Sequence, residues 1–414
     1  AMGKQVLYLN GKRVQEHLGG YLPFTLDLTA NGVQAGDSCL LAVYTDNSND
    51  KSYPPGKPQY TLDFAYHGGI YRDVWMIAKS PVAITDAIDS RTVGGGGVFV
   101  HFDKISEKSA QVYVETEIQN DNTRSESVTV ETTFTDAEGN VIKRTSGKLS
   151  LNSGEKKSIR QQMEVKNPKL WSPESPFLYD ITYRIVNAKG EVLDEVNSYA
   201  GMRKVHIEGN RIYLNNELYY QRLVLDQGFY PDGIWTAPSD AALKRDIELS
   251  MAAGLHQKAF EERFHYWADR LGYITWGEAP SWGMDANGIE TARNFLTEWS
   301  ELVLRDRNHP SLLIWTPMNE EWWPDRVQYP RFTADLYDLT KALDPTRPVN
   351  DASGGVHIKT DIWTVHNYEQ DPARLKEIIY KDGVFFQTPL RSVGVAPANI
   401  GFNGLRQNDR YEFP

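Results

Sequence analysis

The pattern of apolar and polar positions changes period along the chain. Up to about residue 82 it alternates. VLYLNGKRV is an alternating strand, a turn at Asn10-Gly11 and a second strand, and Asn-Gly between alternating apolar residues is a strong hairpin signal. Further turns fall at Gly19-Gly20 and Asn31-Gly32. Residues 45 to 58 form a long, polar, proline-rich loop of the kind that often carries function. YHGGIYRDVWM predicts a tight backbone approach at Gly68-Gly69 and then a last strand. From about 83 to 200 the alternation is cleaner. VYVETEIQN, VTVETTFTD and LYDITYRIV are separated by turns at Asp121-Asn122, Glu138-Gly139-Asn140 and Asn187-Ala188-Lys189-Gly190. Strands at this spacing predict an immunoglobulin-like sandwich.

Near residue 201 the period becomes mixed. A hairpin, GNRIYLNNELYYQR, leads into LVLDQGFYPDGIW. SDAALKRDIELSMAAG predicts a helix with Ser239 as N-cap, Asp240 in the first turn and Gly254 as its stop. Further helices are predicted in FHYWADRLG, TARNFLTEWSELVLRDR, FTADLYDLTKALD and PARLKEIIY, with strands in YITWGEAPSW and DIWTVHNYEQ between them. This alternation means a parallel α/β unit. Its centre is NHPSLLIWTPMNEEWW, residues 308 to 323. Leu312, Leu313, Ile314 and Trp315 form an apolar run too short for an ordinary helix, which reads as a strand buried on both faces.

Chemistry in such units sits where the strands end. The polar groups placed there are Asp226-Gln227, His256-Gln257, Glu278, Asn319-Glu320, Asp351 and His366-Asn367-Tyr368. A carboxylic acid at Glu320, walled by Trp315, Trp322 and Trp323, would keep its proton near neutral pH, because desolvation disfavours the carboxylate. A general acid requires that. The alternative is that Glu320 caps the following helix while Glu321 decorates its surface. The strand before the pair and the tryptophans after it favour the acid.

Composition narrows the function. The chain of 414 residues is too long for one core. Its net charge of -11 argues against a nucleic-acid binder. No apolar run is long enough to span a bilayer, and no signal peptide is read at its start. One cysteine, Cys39, rules out an internal disulfide, which fits the cytoplasm or the periplasm of a bacterium without choosing between them. Aromatics are 12% of residues, with Trp 11 and Tyr 22, and suit either clefts that stack on sugar rings or aromatic-rich sandwich cores.

At this point the chain resembles glycoside hydrolase family 2, the β-galactosidase, β-glucuronidase and β-mannosidase relatives. YLNGKRVQEHLGGYLPFTLDLT and YHGGIYRDVWM resemble that family's jelly-roll sugar-binding sandwich. NPKLWSPESPFLYDITYRI resembles the end of its immunoglobulin-like domain, GMRKVHIEGNRIYLNNELYYQR the entry into its barrel, and NHPSLLIWTPMNEEW its acid/base strand. The fold implied is multidomain: a sugar-binding-like sandwich over 1–82, an immunoglobulin-like sandwich over 83–200, and a (β/α)8 TIM barrel over 201–414. The resemblance assigns Glu320 as general acid/base and Asn319 as the contact to the sugar 2-hydroxyl. His366 and Tyr368 match the strand whose tyrosine touches the nucleophile. Asp226, His256 and Glu278 fall where the family binds sugar hydroxyls. Their bland alternatives are a loop-ordering Asp, a core-satisfied His and a Glu paired to a barrel arginine. For Asp351 the alternative is a loop cap, and for the sugar platforms Trp282 and Trp322 it is packing.

The sequence departs from the family in three ways. The family's nucleophile lies in a strand ending Glu-Phe/Tyr-Gly-Gly, which does not occur here. Glu412-Phe413 is followed by Pro414 without a preceding apolar strand, so the nucleophile is expected beyond Pro414 and the barrel is expected to be incomplete at its C-terminal end. AAGLHQKAFEERF lacks the Asn and Arg that usually precede His-Gln, and the first sandwich lacks its opening strands. WGEAPSWGM offers Trp282 where the metal-dependent galactosidases carry a His, so the resemblance implies no magnesium site and no cofactor. Two functions stay open: a retaining exo-β-glycosidase, on family frequency a β-galactosidase, and a non-catalytic carbohydrate-binding or scaffold protein with an inactive barrel remnant. Either way the partner is an oligo- or polysaccharide, with neither nucleic acid nor membrane, and homo-oligomerisation is left open.

Overall fold

The computed structural model of the chain describes residues 1–56, 58–61, 66–88, 96–223, 225–226, 228–253, 261–281, 283–320, 328–354, 357–364, 366 and 368–379. The chain begins with a three-stranded antiparallel sheet in the order β2-β1-β3, from β1 (Lys4–Leu9), β2 (Lys12–Leu18) and β3 (Leu41–Asp46). Asn10 and Gly11 both take positive φ, 50° and 82°, the pair of left-handed residues that lets a two-residue turn match the strand twist. The predicted last strand of this region is not formed. Residues 66–80 join no ladder, and Trp75 and Met76 stand 78% and 86% exposed. No partner strand among the described residues offers this apolar stretch its hydrogen bonds.

A two-sheet antiparallel sandwich follows. One sheet contains β4 (Val82–Ile84), β5 (Val98–Asp103), β6 (Ser109–Asn120) and β9 (Lys156–Lys166), with β6 pairing all three others. A short hairpin joins β10 (Trp171–Ser172) to β11 (Ser175–Pro176). The second sheet has the order β13-β12-β7-β8, with β7 (Glu126–Thr135), β8 (Val141–Leu151), β12 (Tyr179–Asn187) and β13 (Val192–Ala200). Side chains alternate between faces, so Val112, Val114, Val130, Phe134, Ile181 and Tyr183 meet between the sheets. A small sheet of β14 (Val205–Glu208), β15 (Arg211–Leu214) and β16 (Glu217–Leu218) leads out of the sandwich.

The α/β unit then begins. Helix α1 (Asp240–Ala253) starts where the Ser239 hydroxyl accepts the Ala242 N–H at 3.2 Å. Helix α2 (Glu262–Leu271) stops at Gly272, whose φ is 75°. Strand β17 (Thr275–Glu278), α3 (Ile289–Asp306), β18 (Leu312–Thr316) and β19 (Met318–Asn319) come next, followed by α4 (Gln328–Leu343), β20 (Ala352–Ser353) and α5 (Pro372–Ile379). β17 runs parallel to β18, a parallel bridge joins Trp315 to Val349, and β19 runs parallel to β20. Pro317, which has no N–H to donate, separates β18 from β19. Every residue of β18 is buried.

One predicted strand differs, and no strand precedes Asp226 among the described residues. The described part of LVLDQGFYPDGIW makes only a bridge between Tyr230 and Ile234. The described residues of 361–370 join no ladder: one backbone bond, from Asp361 N–H to Val349 O at 2.8 Å, reaches the neighbouring segment, and side chains make further contacts. Val349 N–H goes to the Asp361 carboxylate at 3.0 Å, and the Thr360 hydroxyl donates to Val349 O at 3.0 Å.

The turn ahead of β18 is locked onto the sandwich. Asn308 accepts from Val100 N at 2.9 Å and donates to Val98 O at 2.7 Å. The buried Arg203 guanidinium donates to Pro310 O and Leu312 O, each at 2.6 Å. The central strand is therefore registered from outside the α/β unit.

Candidate active site

The site grows from the end of β18. Trp315 lies wholly in the core behind it, packed edge-on against Trp299 and donating its indole N–H to Asp344 at 2.8 Å. This corrects the expectation that Trp315 walls Glu320. Along a strand, successive side chains face opposite ways, and Trp315 faces the helices. Burial acts to raise the Asp344 carboxyl, but Arg347 at 2.5 Å and the Trp315 and Thr346 hydrogen bonds outweigh it and bring it down to about 2. The strand thus rests on a fixed ionic anchor.

Past Pro317, Asn319 pairs with Ser353, and Glu320 N–H reaches Ser353 O at 2.8 Å. Glu320 has φ of 50°. Left-handed backbone is strained for a residue with a side chain and persists where its surroundings enforce it. Two donors then converge on one carboxyl oxygen: His366 Nδ1 and the Tyr368 hydroxyl each lie 2.5 Å from Glu320 Oε1. His366 Nε2 is 3.2 Å from the Ser353 hydroxyl. With Oε1 accepting, Nδ1 carries the ring hydrogen and a neutral His366 accepts from Ser353. The Glu320 and His366 side chains are 25% and 26% exposed, closely held yet open to a ligand.

Asn319 is half-buried at the end of β19, its N–H bonded to the Ser281 hydroxyl at 3.0 Å. Among the described residues no group takes up its side-chain amide. Glu278 ends β17 in register with Thr316 and is buried. The structure therefore brings Asn319, Glu320, His366 and Tyr368 together, with Glu278 at the end of the adjoining strand.

Two expected site residues are placed otherwise. Asp351 is fully buried, and its carboxylate is taken by His357 Nδ1 at 2.5 Å, Ile358 N–H at 2.6 Å and Lys359 N–H at 3.0 Å. It clamps its own loop, as the loop-cap alternative has it. Asp226 ends no strand among the described residues and accepts the Gly228 N–H at 2.8 Å, ordering a turn. His256, Trp282 and Trp322 lie outside the described residues, as does the expected nucleophile. Ser353, Gly354 and Ser281 were not among the expected site residues. The glycine pair in ASGG was the available signal for the first two: Gly354 has φ of 59°, and a Cβ there would overlap the His366 ring. Ser281 carries no motif. Among the described residues, no group of three His, Cys, Asp or Glu side chains is placed to hold a metal, and no helix is long and apolar enough to cross a membrane.

Comparison with known proteins bears on this geometry. The family model described as "Glycosyl hydrolases family 2" matches residues 96–203, and that described as "Glycosyl hydrolases family 2, TIM barrel domain" matches residues 264–382. A β-galactosidase of Thermoanaerobacter pseudethanolicus is 27% identical over 392 residues, covering 92% of this chain and 47% of its own length. A β-glucuronidase of Bacteroides fragilis is 26% identical over 432 residues, covering 99% of this chain and 59% of its own. The chain thus spans about half the length of these curated relatives. Among solved structures, β-glucuronidase 2 of Bacteroides uniformis, covalently bound to cyclophellitol-6-carboxylate aziridine, superposes with a TM-score of 0.75 at 25% identity, over 84% of this chain and 43% of that one.

Proposed function

The chain belongs to glycoside hydrolase family 2, and from that premise we propose that it carries the acid/base half of a retaining exo-β-glycosidase acting on terminal β-linked sugars, β-galactosides first. The convergence of His366 and Tyr368 on one oxygen of Glu320, beside Asn319, whose side-chain amide no described residue takes up, carries the reading. Glu320 gives its proton to the leaving-group oxygen and later takes one from water. Asn319 holds the sugar 2-hydroxyl, a contact that strengthens in the transition state. Glu278, His366 and Tyr368 line the sugar site, with His256, Trp282 and Trp322 as further candidates. The nucleophile is a second carboxylate from outside the described residues. The domain reading goes with this: a sugar-binding-like sandwich over 1–82, an immunoglobulin-like sandwich over 83–200, and a barrel from 201 onward whose last strands are not among those described. The similarity to both β-galactosidases and β-glucuronidases supports a β-glycoside as substrate, and a panel of aryl β-glycosides distinguishes the sugars.

Proton NMR of the first-formed product tests the mechanism on the full-length gene product. Retaining sites hold their two carboxyl groups about 5 to 5.5 Å apart, so the second attacks the sugar directly and two inversions restore the configuration. The anomer of the substrate is expected to appear first. An inverted first product contradicts it.

A further inference from the structure

The segment that follows β17 is held from both sides. On its inner side, Ala279 N–H bonds Thr316 O at 3.1 Å, and within the segment Ser281 N–H bonds Ala279 O at 2.8 Å and Met284 N–H bonds Ser281 O at 3.2 Å. On its outer side it is gripped by residues 51–56 of the first β region. Lys51 O accepts Asp285 N–H at 3.0 Å and the Thr291 hydroxyl at 3.2 Å, and Ser52 O accepts the Asn294 amide at 2.9 Å. Tyr53, Pro54 and Pro55 are buried behind these carbonyls. Gly56, with φ of 71°, packs so closely on Met284 that a Cβ would overlap its backbone. Met284 itself is part of the barrel core. At the centre sits Ser281, fully buried, with its hydroxyl accepting Asn319 N–H at 3.0 Å.

That last bond is unusual in kind. Asn319 is a strand residue paired with Ser353, yet its N–H is satisfied by a side chain from the neighbouring strand's loop. A buried N–H must have a partner, and here the partner sets where the Asn319-Glu320 peptide sits. We infer that the first β domain positions the Asn319-Glu320 pair through Ser281: loop 51–56 holds the 281–294 segment, and the Ser281 hydroxyl holds Asn319. Ser281 is a positioning residue, touching no substrate. The inference rests on the proposed reading of Asn319 as the contact to the sugar 2-hydroxyl, and it adds to that reading a route from a separate domain.

The signature is selective loss of 2-hydroxyl recognition. In the full-length protein, kcat and KM are measured for an aryl β-glycoside and its 2-deoxy analogue. Displacement of about 1 Å at a reacting group costs up to about 10² in rate, so Ser281→Ala should reduce the preference for the 2-hydroxy substrate about tenfold or more. The loss should fall on kcat rather than KM, and Ser281→Thr, which keeps the hydroxyl, should recover most of it. Equal losses on both substrates, with the preference intact, would make Ser281 merely structural and overturn the inference. A wild-type protein that hydrolyses both substrates equally would overturn the assignment of Asn319 itself, and the inference with it. If Ser281→Ala does not fold, Asn294→Ala at the outer end of the clamp is read the same way. An unchanged preference there, with the protein folded, removes the first domain from the positioning of the site.

Discussion

Glu320 carries two constraints at once: a left-handed backbone and a carboxyl oxygen shared by His366 and Tyr368. Both depend on the neighbouring strand end, where Ser353 O takes Glu320 N–H and Gly354 makes room for the His366 ring. Gly354→Ala should therefore act on a residue it does not replace. The new methyl meets the ring and also forces an alanine to φ of 59°, at a combined cost of roughly 1–3 kcal/mol. Urea denaturation and the ring signals of His366 by NMR check this. Unchanged stability with unmoved His366 signals would mean that the close approach is not there in solution. At this scale the sequence was a partial guide. Asn319, Glu320, His366 and Tyr368 stood out because polar residues follow apolar runs. Asp351 looked equivalent on the same grounds, and its full burial could not be read from VNDASGG, because what distinguishes it is the loop that folds back through His357 and Ile358. Ser281 was invisible, since a serine in a turn says nothing of the N–H it will meet.

At the scale of elements, legibility tracked how locally each element is determined. The β1–β2 turn was readable because Asn-Gly answers a purely local demand for positive φ. Strand β18 was readable because burial on both faces requires an unbroken apolar run. Helices α2, α3 and α4 show the expected apolar stripe on the core side, with Phe264, Phe295, Trp299, Phe332 and Leu336 buried. The segment at 70–77 and the described residues of 361–370 misled because apolar or β-branched residues favour a strand but do not supply its partner. Strand β18 is also where the core is most sensitive. Ile314 is fully buried within a cluster that includes Trp171, Leu313 and Ile274. Ile314→Ala should cost about 2–5 kcal/mol, the range for a large-to-small change at a site that cannot collapse. A shift of the urea midpoint equivalent to less than 1 kcal/mol would show that the strand is not packed on both faces.

The whole molecule is held together by polar groups that cross between its parts, and one of them titrates. Glu298, on α3, is buried against the first β region, where its Oε1 accepts Gly20 N–H at 3.2 Å and Tyr21 N–H at 3.3 Å. Burial pushes its carboxyl up from 4.5 to about 7, overriding the two hydrogen bonds, which act to lower it. Neighbouring Glu301 is raised to about 7 by burial and by the charge of Glu298. The folded chain therefore holds a proton on Glu298 that the unfolded chain has released. This contribution to stability is complete below about 4.5 and is lost as pH rises through about 7. Glu298→Gln keeps an acceptor for Gly20 and Tyr21 without the charge. It should be more stable than wild type at pH 8 by up to about 2–3 kcal/mol, with the advantage fading towards pH 5. Urea midpoints at the two pH values decide it, and a difference independent of pH would mean that Glu298 is not buried at this junction. The multidomain order was readable from the change of period. The seams between the parts were not, because Glu298, Arg203 and Asn308 find their partners far along the chain.

The central claim is that Glu320 is the acid/base, and leaving-group dependence tests it most directly. In the full-length protein, Glu320→Gln is compared with wild type on glycosides of poor and of activated aryl leaving groups. Loss of proton donation should lower the rate about 10²- to 10⁴-fold where the leaving group needs a proton, and markedly less in the glycosylation step where it does not. Small and equal losses on both classes would contradict the account and take Glu320 out of the acid role.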